Sequence, residues 1–595
     1  MCGFAAQYSY ATKAPPIDGG VLDAINQAMT RRGPDGEGMW LSKSGRVGLA
    51  HKRLAIIDLS NDAAQPMALQ TTNGGIHISY NGEIYNFQAL RRQLEDAGDT
   101  FRTTSDTEVL LHLYKHHGRS MVEHLRGMFA LAIWDDARQG LFLARDPFGI
   151  KPLYYMDDGK TFSAASQVKA LLAGLEAAGR PRPAFNPAGH VGFFLFGNVP
   201  EPHTLFKGIH ALPAGTTLWI DHNGPAKPET FFDVSVRLSQ AMDDPVDTDL
   251  GQLLRDSVSH HFVADVPVGV FLSSGLDSAT LVGLASELQG AGLDTLTLGF
   301  EEFKDTANDE VPLAETIASA YGTRQHTVRV AGKDFAQSRD DLLDAMDQPS
   351  IDGVNTYFVA KAAASEGLKV AISGLGGDEL FAGYDSFSQI PTLVAGLGAI
   401  PGIGPVGRLV RTLSRPLSGA LIPPKAPGLL EYSSRFGDAY LLRRALYMPW
   451  ELPSIIGGDM AREGLQALDV LKRLDDCQSA PKAPKAKIAA LEMAWYMRNQ
   501  LLRDADWAGM AHGLEIRVPM VDVELFSRLA AAIAHGRGPN KQAMAVTPAK
   551  PLSEHVLNRP KSGFFVPVRD WLAGDGPKER GLRGWAKTVY QAQIS

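Results

Sequence analysis

Two rhythms of apolar positions divide the chain. Up to about residue 230, short β-type runs dominate: Val47–Leu49, Ile76–Tyr80, Phe129–Trp134, Leu141–Ala144 and Thr217–Ile220. Turn signals such as Asn73-Gly74-Gly75 and Asp157-Asp158-Gly159 separate them. Helical patterns over Val21–Thr30, Phe87–Ala97 and Asp106–Gly118 lie between. Mostly antiparallel strands with interleaved helices predict an α+β layered domain. A polar, Asp-rich stretch, Ser239–Thr248, reads as a linker and sets domains at 2–235 and 240–595. Beyond it, strand, loop and helix alternate. Val268–Leu272 runs into Ser273-Ser274-Gly275 and a helix from about Asp277. Thr295–Phe300 precedes a helix around Val311–Tyr321, and Lys369–Ser373 ends in a glycine-rich turn. This α/β pattern predicts a doubly wound parallel sheet, whose ligands sit at the carboxyl ends of the strands. From about Glu431 the chain reads as largely helical, with Ser479–Lys487 as an exposed low-complexity loop.

Composition narrows the class. A chain of 595 residues is too long for one hydrophobic core, so two or more domains are expected. Apolar residues at 45% and charged residues at 21% are ordinary for a soluble protein. A net charge of −8 argues against a general nucleic-acid binder. No run of about 18 apolar residues exists, so no membrane partner is expected. The start carries no signal-peptide pattern, and two cysteines, Cys2 and Cys477, fit a reducing cytoplasm.

Cys2 changes the picture. Removal of Met1 would leave one residue carrying both a thiol and a free α-amine, which can serve as the thiol's general base. Hydrolysing a carboxamide also needs oxyanion donors and groups that hold the substrate. Asn81-Gly82-Glu83-Ile84-Tyr85-Asn86 follows a strand and reads as a tight polar turn. Its Asn side-chain amide and Gly N–H are suitable oxyanion donors. Arg53 can grip an α-carboxylate and Asp106 an α-ammonium, which together suit free glutamine. Taken singly, Arg53 and Asp106 most often read as surface ion-pair members, and Asn81-Gly82 as a plain turn. Ser105 with Glu108 fits a capping box, a role expected alongside the functional one.

The runs MCGF, Arg32-Gly33-Pro34-Asp35, HKRLAIID (51–58), NGEIYN (81–86), SDTE (105–108), RGMFALAIWD (126–135) and RDPFGIKPLYY (145–155) resemble the glutaminase domain of class II glutamine amidotransferases. The resemblance implies an α-β-β-α N-terminal-nucleophile hydrolase fold. It also implies Cys2 as nucleophile, Asn81 and Gly82 as oxyanion hole, and Arg53, Glu83 and Asp106 as glutamine holders.

A second constellation follows the apolar strand at 268–272. In Ser273-Ser274-Gly275-Leu276-Asp277-Ser278, small residues let backbone approach a phosphate, and a helix N-terminus supplies unpaired N–H groups. Asp277 would repel phosphate unless a cation intervened, which predicts Mg²⁺. Ser373-Gly374-Leu375-Gly376-Gly377-Asp378-Glu379 could form the facing wall, with Asp378 as the second carboxylate, and Lys561 could meet pyrophosphate. Alone, the first loop is as well read as an ordinary strand-to-helix turn, and Lys561 most often reads as a solvated lysine. The ATP-binding set is Leu272, Ser273, Ser274, Gly275, Asp277, Ser278, Gly299, Ser373, Gly374 and Lys561, with Asp277 and Asp378 as metal ligands.

The first loop resembles that of ATP pyrophosphatases. With WAGMAHGLEIRVPMVD (507–522) and RPKSGFFVPV (559–568), the whole chain is similar to glutamine-hydrolysing asparagine synthetases. That resemblance implies an adenylating C-terminal domain with added helices, and glutamine, ATP, Mg²⁺ and a carboxylate acceptor as ligands. It also implies a homodimer. In that family a carboxylate is activated as its AMP ester and amidated by ammonia. Leu375 stands where the family carries a Glu, so a carboxylate other than aspartate is the alternative acceptor.

Overall fold

Alternation along the first strands sets the architecture. In β1 (Gly3–Ser9), Phe4, Ala6 and Tyr8 turn to one side and Ala5 to the other, and all seven residues are buried. A strand apolar on both faces needs a layer on each side. The structure is a computed structural model that describes residues 2–246, 249–414, 423, 425–559, 566–573 and 581–594. Two antiparallel sheets stack in its N-terminal part. The first has the order β10 (Ile209–Ala211), β8 (Tyr154–Asp157), β9 (Thr161–Ala165), β1, β3 (Val47–Arg53), β2 (Gly36–Leu41). The second has the order β12 (Gly224–Pro225), β11 (Thr216–Asp221), β7 (Gly140–Arg145), β6 (Gly127–Asp135), β5 (Gly74–Ile84), β4 (Met67–Thr71), with β13 (Glu229–Thr230) beside β11.

Phe4, Leu49, Ala132, Trp134, Leu143 and Phe162 fill the space between the sheets. The opposite residues of β6, Phe129, Leu131 and Ile133, meet Val109, Leu110 and Leu113 of the helix Asp106–His117. Leu22 and Ile25 of the helix Gly19–Gln27 cover the first sheet beside Ala5 and Ala50. The result is the expected α-β-β-α layering. Each fully buried Leu or Phe in it contributes about 1.5–3 kcal/mol of transfer free energy.

The C-terminal part holds a wholly parallel sheet in the order β16 (Arg324–Val330), β15 (Asp294–Phe300), β14 (Val268–Phe271), β17 (Val370–Ile372), β18 (Glu515–Arg517). Helices Leu276–Gln289, Val311–Tyr321 and Val354–Ser365 follow three of these strands. Three strands agree with the apolar pattern, while β16 and β18 are additional.

Other segments differ from their sequence reading. The stretch taken as a linker is helical through Gln240 and turns again over Ala241–Asp243. It is held in place as Met242 O accepts from His535, so it packs rather than spans. Only the first part of Ser479–Lys487 is loop. Pro484 starts the helix Pro484–Leu491, where its missing N–H costs nothing, and Ala486 is buried. The helix Val168–Ala177 has no cap from the side chain that precedes it. Instead the Asp347 carboxylate accepts from the Val168 and Lys169 N–H groups, both at 2.9 Å. No single helix among the described residues is long and apolar enough to cross a membrane.

Candidate active sites

β1 begins one residue after Cys2, so the sheet fixes the thiol's position. The Cys2 backbone nitrogen, which removal of Met1 would turn into the α-amine, donates to Asn81 Oδ1 at 2.9 Å. Burial pushes the Cys2 thiol up, opposed by the nearby amino-terminal charge and by the Leu54 backbone. Asn81 and Gly82 do not form a turn. β5 continues through Ile84 because its ladder with β6 runs on past Asn81↔Ala130 and Gly82↔Phe129. Asn81 is fully buried, and its Nδ2 has no hydrogen-bond partner among the described residues. At Gly82 an added Cβ would lie 2.1 Å from Met128 O, so only glycine lets the strand pass there.

A small cavity of about 30 Å³ opens beside Cys2, lined among others by Arg53, Gly82, Glu83 and Asp106. Arg53 Nη1 donates to Ser60 O at 2.7 Å, and Nη2 donates to Asp58 O. Asp106 accepts from Tyr80 Oη at 2.9 Å and from Ile84 N at 3.2 Å. Burial raises it to about 6 against those hydrogen bonds. Ser105 caps the Thr107 N–H as expected, but the reciprocal half of the capping box is absent. Glu108 turns back instead to the Arg102 and Thr103 N–H groups.

Glu83 lines this cavity and also pairs across to the parallel sheet. It lies 3.5 Å from Arg517 of β18, and Arg517 Nε donates to Glu515 at 2.6 Å. Burial and the neighbouring Glu515 push Glu83 well up. Burial would also raise Glu515, but the amino-terminal charge, Arg517 and Lys151 outweigh it and hold it at about 2. Arg32 joins the cluster: its Nε donates to Cys2 O at 3.1 Å, and its two terminal nitrogens hold Asp506 at 2.7 and 2.9 Å.

The second cavity, about 560 Å³, opens at the carboxyl ends of β14 and β17. Leu272, Ser273, Ser274, Gly275, Asp277, Ser278, Ser373, Gly374 and Asp378 all line it. Gly299 does not. It sits on β15, where an added Cβ would meet Val311 Cγ2 at 2.5 Å. Lys561 lies outside the described residues. The Ser278 hydroxyl accepts from Ser273 N at 3.1 Å and ties the first loop closed. The helix Leu276–Gln289 has no side-chain cap, and the buried Ser274 hydroxyl has no partner among the described residues. These are donors suited to an anion.

At Gly377 a Cβ would lie 2.8 Å from Asp277 Cγ, so glycine brings the two loops together. Lys541 Nζ bridges both carboxylates, pairing with Asp277 and lying 2.9 Å from Asp378. A cation thus already sits between them. No third acidic, His or Cys group completes a metal cage among the described residues. Mg²⁺ fits two carboxylates when water and phosphate oxygens supply its remaining ligands.

Residues 1–232 match the glutamine amidotransferase domain family and residues 249–588 the asparagine synthase family. Asparagine synthetase [glutamine-hydrolyzing] 1 of Bacillus subtilis is 31% identical over 99% of this chain and 90% of its own length. A putative asparagine synthetase [glutamine-hydrolyzing] of Mycobacterium tuberculosis is 33% identical over 96% of this chain and 88% of its own. The chain belongs to the glutamine-hydrolysing asparagine synthetase family. Members of this family use ATP as a substrate.

Three features of this asparagine synthetase family member escaped sequence reasoning. Lys541 reads as a surface lysine; the hint was Gly538-Pro539-Asn540, a turn whose Asn540 caps the short helix that begins with Lys541. Glu379 carries no role in the sequence reading. It is 1% exposed and lines the large cavity, and burial together with Asp378 and Glu492 raises it to about 8. β18 is the third. Its Ile516 lines the large cavity while Arg517 reaches Glu83 beside Cys2.

Proposed function

We propose that the chain hydrolyses glutamine at Cys2 and uses the ammonia to amidate an adenylated carboxylate, with aspartate as the acceptor. The observation that carries this reading is β18, whose Ile516 lines the large cavity and whose Arg517 lies 3.5 Å from Glu83 in the lining of the small one. In the first site the Cys2 α-amine takes the thiol proton, the thiolate attacks the glutamine carboxamide carbon, the C–N bond breaks as the proton returns to the leaving ammonia, and water then hydrolyses the thioester to glutamate and frees the thiol. Asn81 Nδ2 and the Gly82 N–H would stabilise the resulting oxyanion. Arg53 and Asp106 hold the two ends of the amino acid. A cavity of about 30 Å³ is too small for glutamine, so binding requires Arg53 to leave the Asp58 and Ser60 carbonyls.

In the second site the acceptor carboxylate oxygen attacks the α-phosphorus of ATP, and pyrophosphate leaves. Ammonia then attacks the acyl carbon, and AMP leaves. The first-turn N–H groups at Leu276 with Ser273, Ser274 and Ser278 are suited to the phosphates. Mg²⁺, held by Asp277 and Asp378, would supply charge neutralisation on them. Lys541 is then free to move to a phosphate oxygen. Leu375 cannot move a proton, whereas Glu379, lining the same cavity, can accept one from the attacking nitrogen.

Cys2→Ala should abolish asparagine formation from glutamine and spare formation from added ammonium, with AMP and pyrophosphate as co-products. Loss of both activities, or ADP as product, overturns the reading. Pyrophosphate release across a series of carboxylates tests the acceptor, because Leu375 leaves its pocket more apolar. A carboxylate that outcompetes aspartate replaces it.

A further inference from the structure

Glu379 has one oxygen held and one left over. Tyr384 Oη donates to its Oε1 at 2.9 Å, while its Oε2 is buried without a partner among the described residues. Both residues line the large cavity. The chain bends sharply to bring them together. Ala382 stands between them in the left-handed region, at φ 52°, which a residue with a Cβ seldom adopts. Such a conformation persists only where its surroundings impose it, and it gathers at functional sites.

Tyr384 is held in its turn. Arg444 lies 4.5 Å from its ring centre and 3.8 Å from that of Tyr496. Fully buried Glu492 accepts from Arg444 Nε at 3.0 Å and from Tyr440 Oη at 3.0 Å. Tyr496 Oη donates to Asp352 at 3.0 Å. Glu492 and Tyr496 both come from Glu492–Leu502, which is wound as a π-helix, a rare form that favours functional sites. No cation pairs with Glu379 among the described residues: Arg444 is taken by Glu492, and Lys541 by Asp277 and Asp378. A buried carboxyl without a cation is costly to keep, and packing alone gives no reason for it. Burial, Asp378 and Glu492 raise Glu379, and the Tyr384 hydroxyl opposes them.

We propose that Tyr384 is a positioning residue for the amidation step: it grips Oε1 of Glu379 so that Oε2 takes a proton from the attacking nitrogen. This rests on the adenylation reading above and assigns the part that Leu375 cannot play. The nitrogen lone pair forms the C–N bond, Oε2 of the ionised carboxylate takes one N–H proton, and the acyl C–O bond breaks with its electron pair leaving on AMP. Tyr384 keeps its own proton, and Glu379 returns the one it gained to water as the cavity empties. Only ionised Glu379 can accept, so amidation should speed up as pH rises through about 8. The Tyr384 hydrogen bond favours the charged form, so its loss moves that rise to higher pH.

The test uses the full-length enzyme with ATP, Mg²⁺, aspartate and hydroxylamine, a nucleophile that stays unprotonated across the window where ammonium titrates. Hydroxamate formation is read against pH. Exchange of labelled pyrophosphate into ATP, with aspartate and no nucleophile, reads adenylation alone. Tyr384→Phe keeps the ring against Arg444. It should move the alkaline rise up by about one unit and slow hydroxamate formation about tenfold at pH 7, while exchange holds. Glu379→Gln should abolish the rise, and glutamine hydrolysis at Cys2 confirms that both variants are folded. An unmoved rise in Tyr384→Phe overturns the proposal, as does a rise that survives in Glu379→Gln. Equal loss of exchange and hydroxamate formation in Tyr384→Phe also overturns it, by assigning Tyr384 to holding a substrate. Absence of aspartate-dependent exchange in the wild type instead overturns the adenylation reading itself.

Discussion

Asn81→Ala is the sharpest probe of the glutamine site. The side chain is fully buried and does two things: its Oδ1 accepts from the Cys2 nitrogen at 2.9 Å, and its Nδ2 is left without a partner among the described residues. An orphaned donor beside a nucleophile is an arrangement for charge that appears only during reaction. Removing one oxyanion donor costs about 2.7–4 kcal/mol of transition-state stabilisation. Losing the bond that orients the Cys2 nitrogen adds about 1 kcal/mol. At 1.36 kcal/mol per decade the sum lowers kcat for glutamine hydrolysis by roughly a thousandfold. Glutamine KM should hardly move, because neither atom contacts the ground-state amino acid ends. Glutamate release measures the loss, and ammonium-dependent synthesis serves as the control for folding. A fall of less than about tenfold, or a KM that rises as kcat holds, refutes the donor role.

Other perturbations follow from the same geometry. Asp506→Ala leaves Arg32, 2% exposed, as an unpaired buried charge, so the urea transition should lose about 3–5 kcal/mol. Pairing Arg32→Met with Asp506→Leu should recover most of that, and a single variant within about 1 kcal/mol of wild type would contradict the pairing. Lys541→Met removes the ammonium between Asp277 and Asp378, so ATP-free protein should bind Mn²⁺ more tightly by calorimetry, while pyrophosphate release slows and glutaminase activity persists. Asp106 is raised by burial to about 6, and only its charged form attracts an α-ammonium, so glutamine KM should be flat above that pH and climb below it. Asp106→Asn should raise KM by about 10–100-fold and remove that pH dependence.

What the chain discloses by itself depends on how local the determinant is. Phe129–Trp134 was legible as a strand because six consecutive residues serve two apolar layers. Asn81-Gly82 was misread as a turn because the dipeptide favours one locally; pairing with β6 overrides that preference. β18 was not legible at all. Three residues carry no periodicity, and the strand exists only because Val370–Ile372, far upstream, offers an unpaired edge. The Ser273–Ser278 loop, which lines the large cavity, was legible as a strand-to-helix loop because strand, small residues and helix start lie within one short window. Gly299 was placed wrongly because its strand enters the sheet under Val311 rather than at the cavity rim. Lys541 and Asp277 meet only after the whole C-terminal part has folded.

Several residues of the first-domain motifs also pair across the interface with the parallel part. Asp35 accepts from Lys369 at 2.7 Å, Arg126 holds Asp522 at 2.9 and 3.0 Å, and Glu83 faces Arg517. With Arg32 and Asp506 these pairs cross between the antiparallel and parallel parts. Buried pairs contribute little net stability, because desolvation offsets most of their attraction. Their consequence is geometric: an apolar interface tolerates a small slide, whereas a two-pronged guanidinium–carboxylate contact does not. β18 lies in the middle of that arrangement. Moving it would withdraw Ile516 from the large cavity and Arg517 from Glu83 together. The Arg32→Met, Asp506→Leu variant separates stability from alignment. If the pair acts as a register device, the fold recovers while glutamate is formed in excess of amidated product, because ammonia escapes a junction that no longer closes.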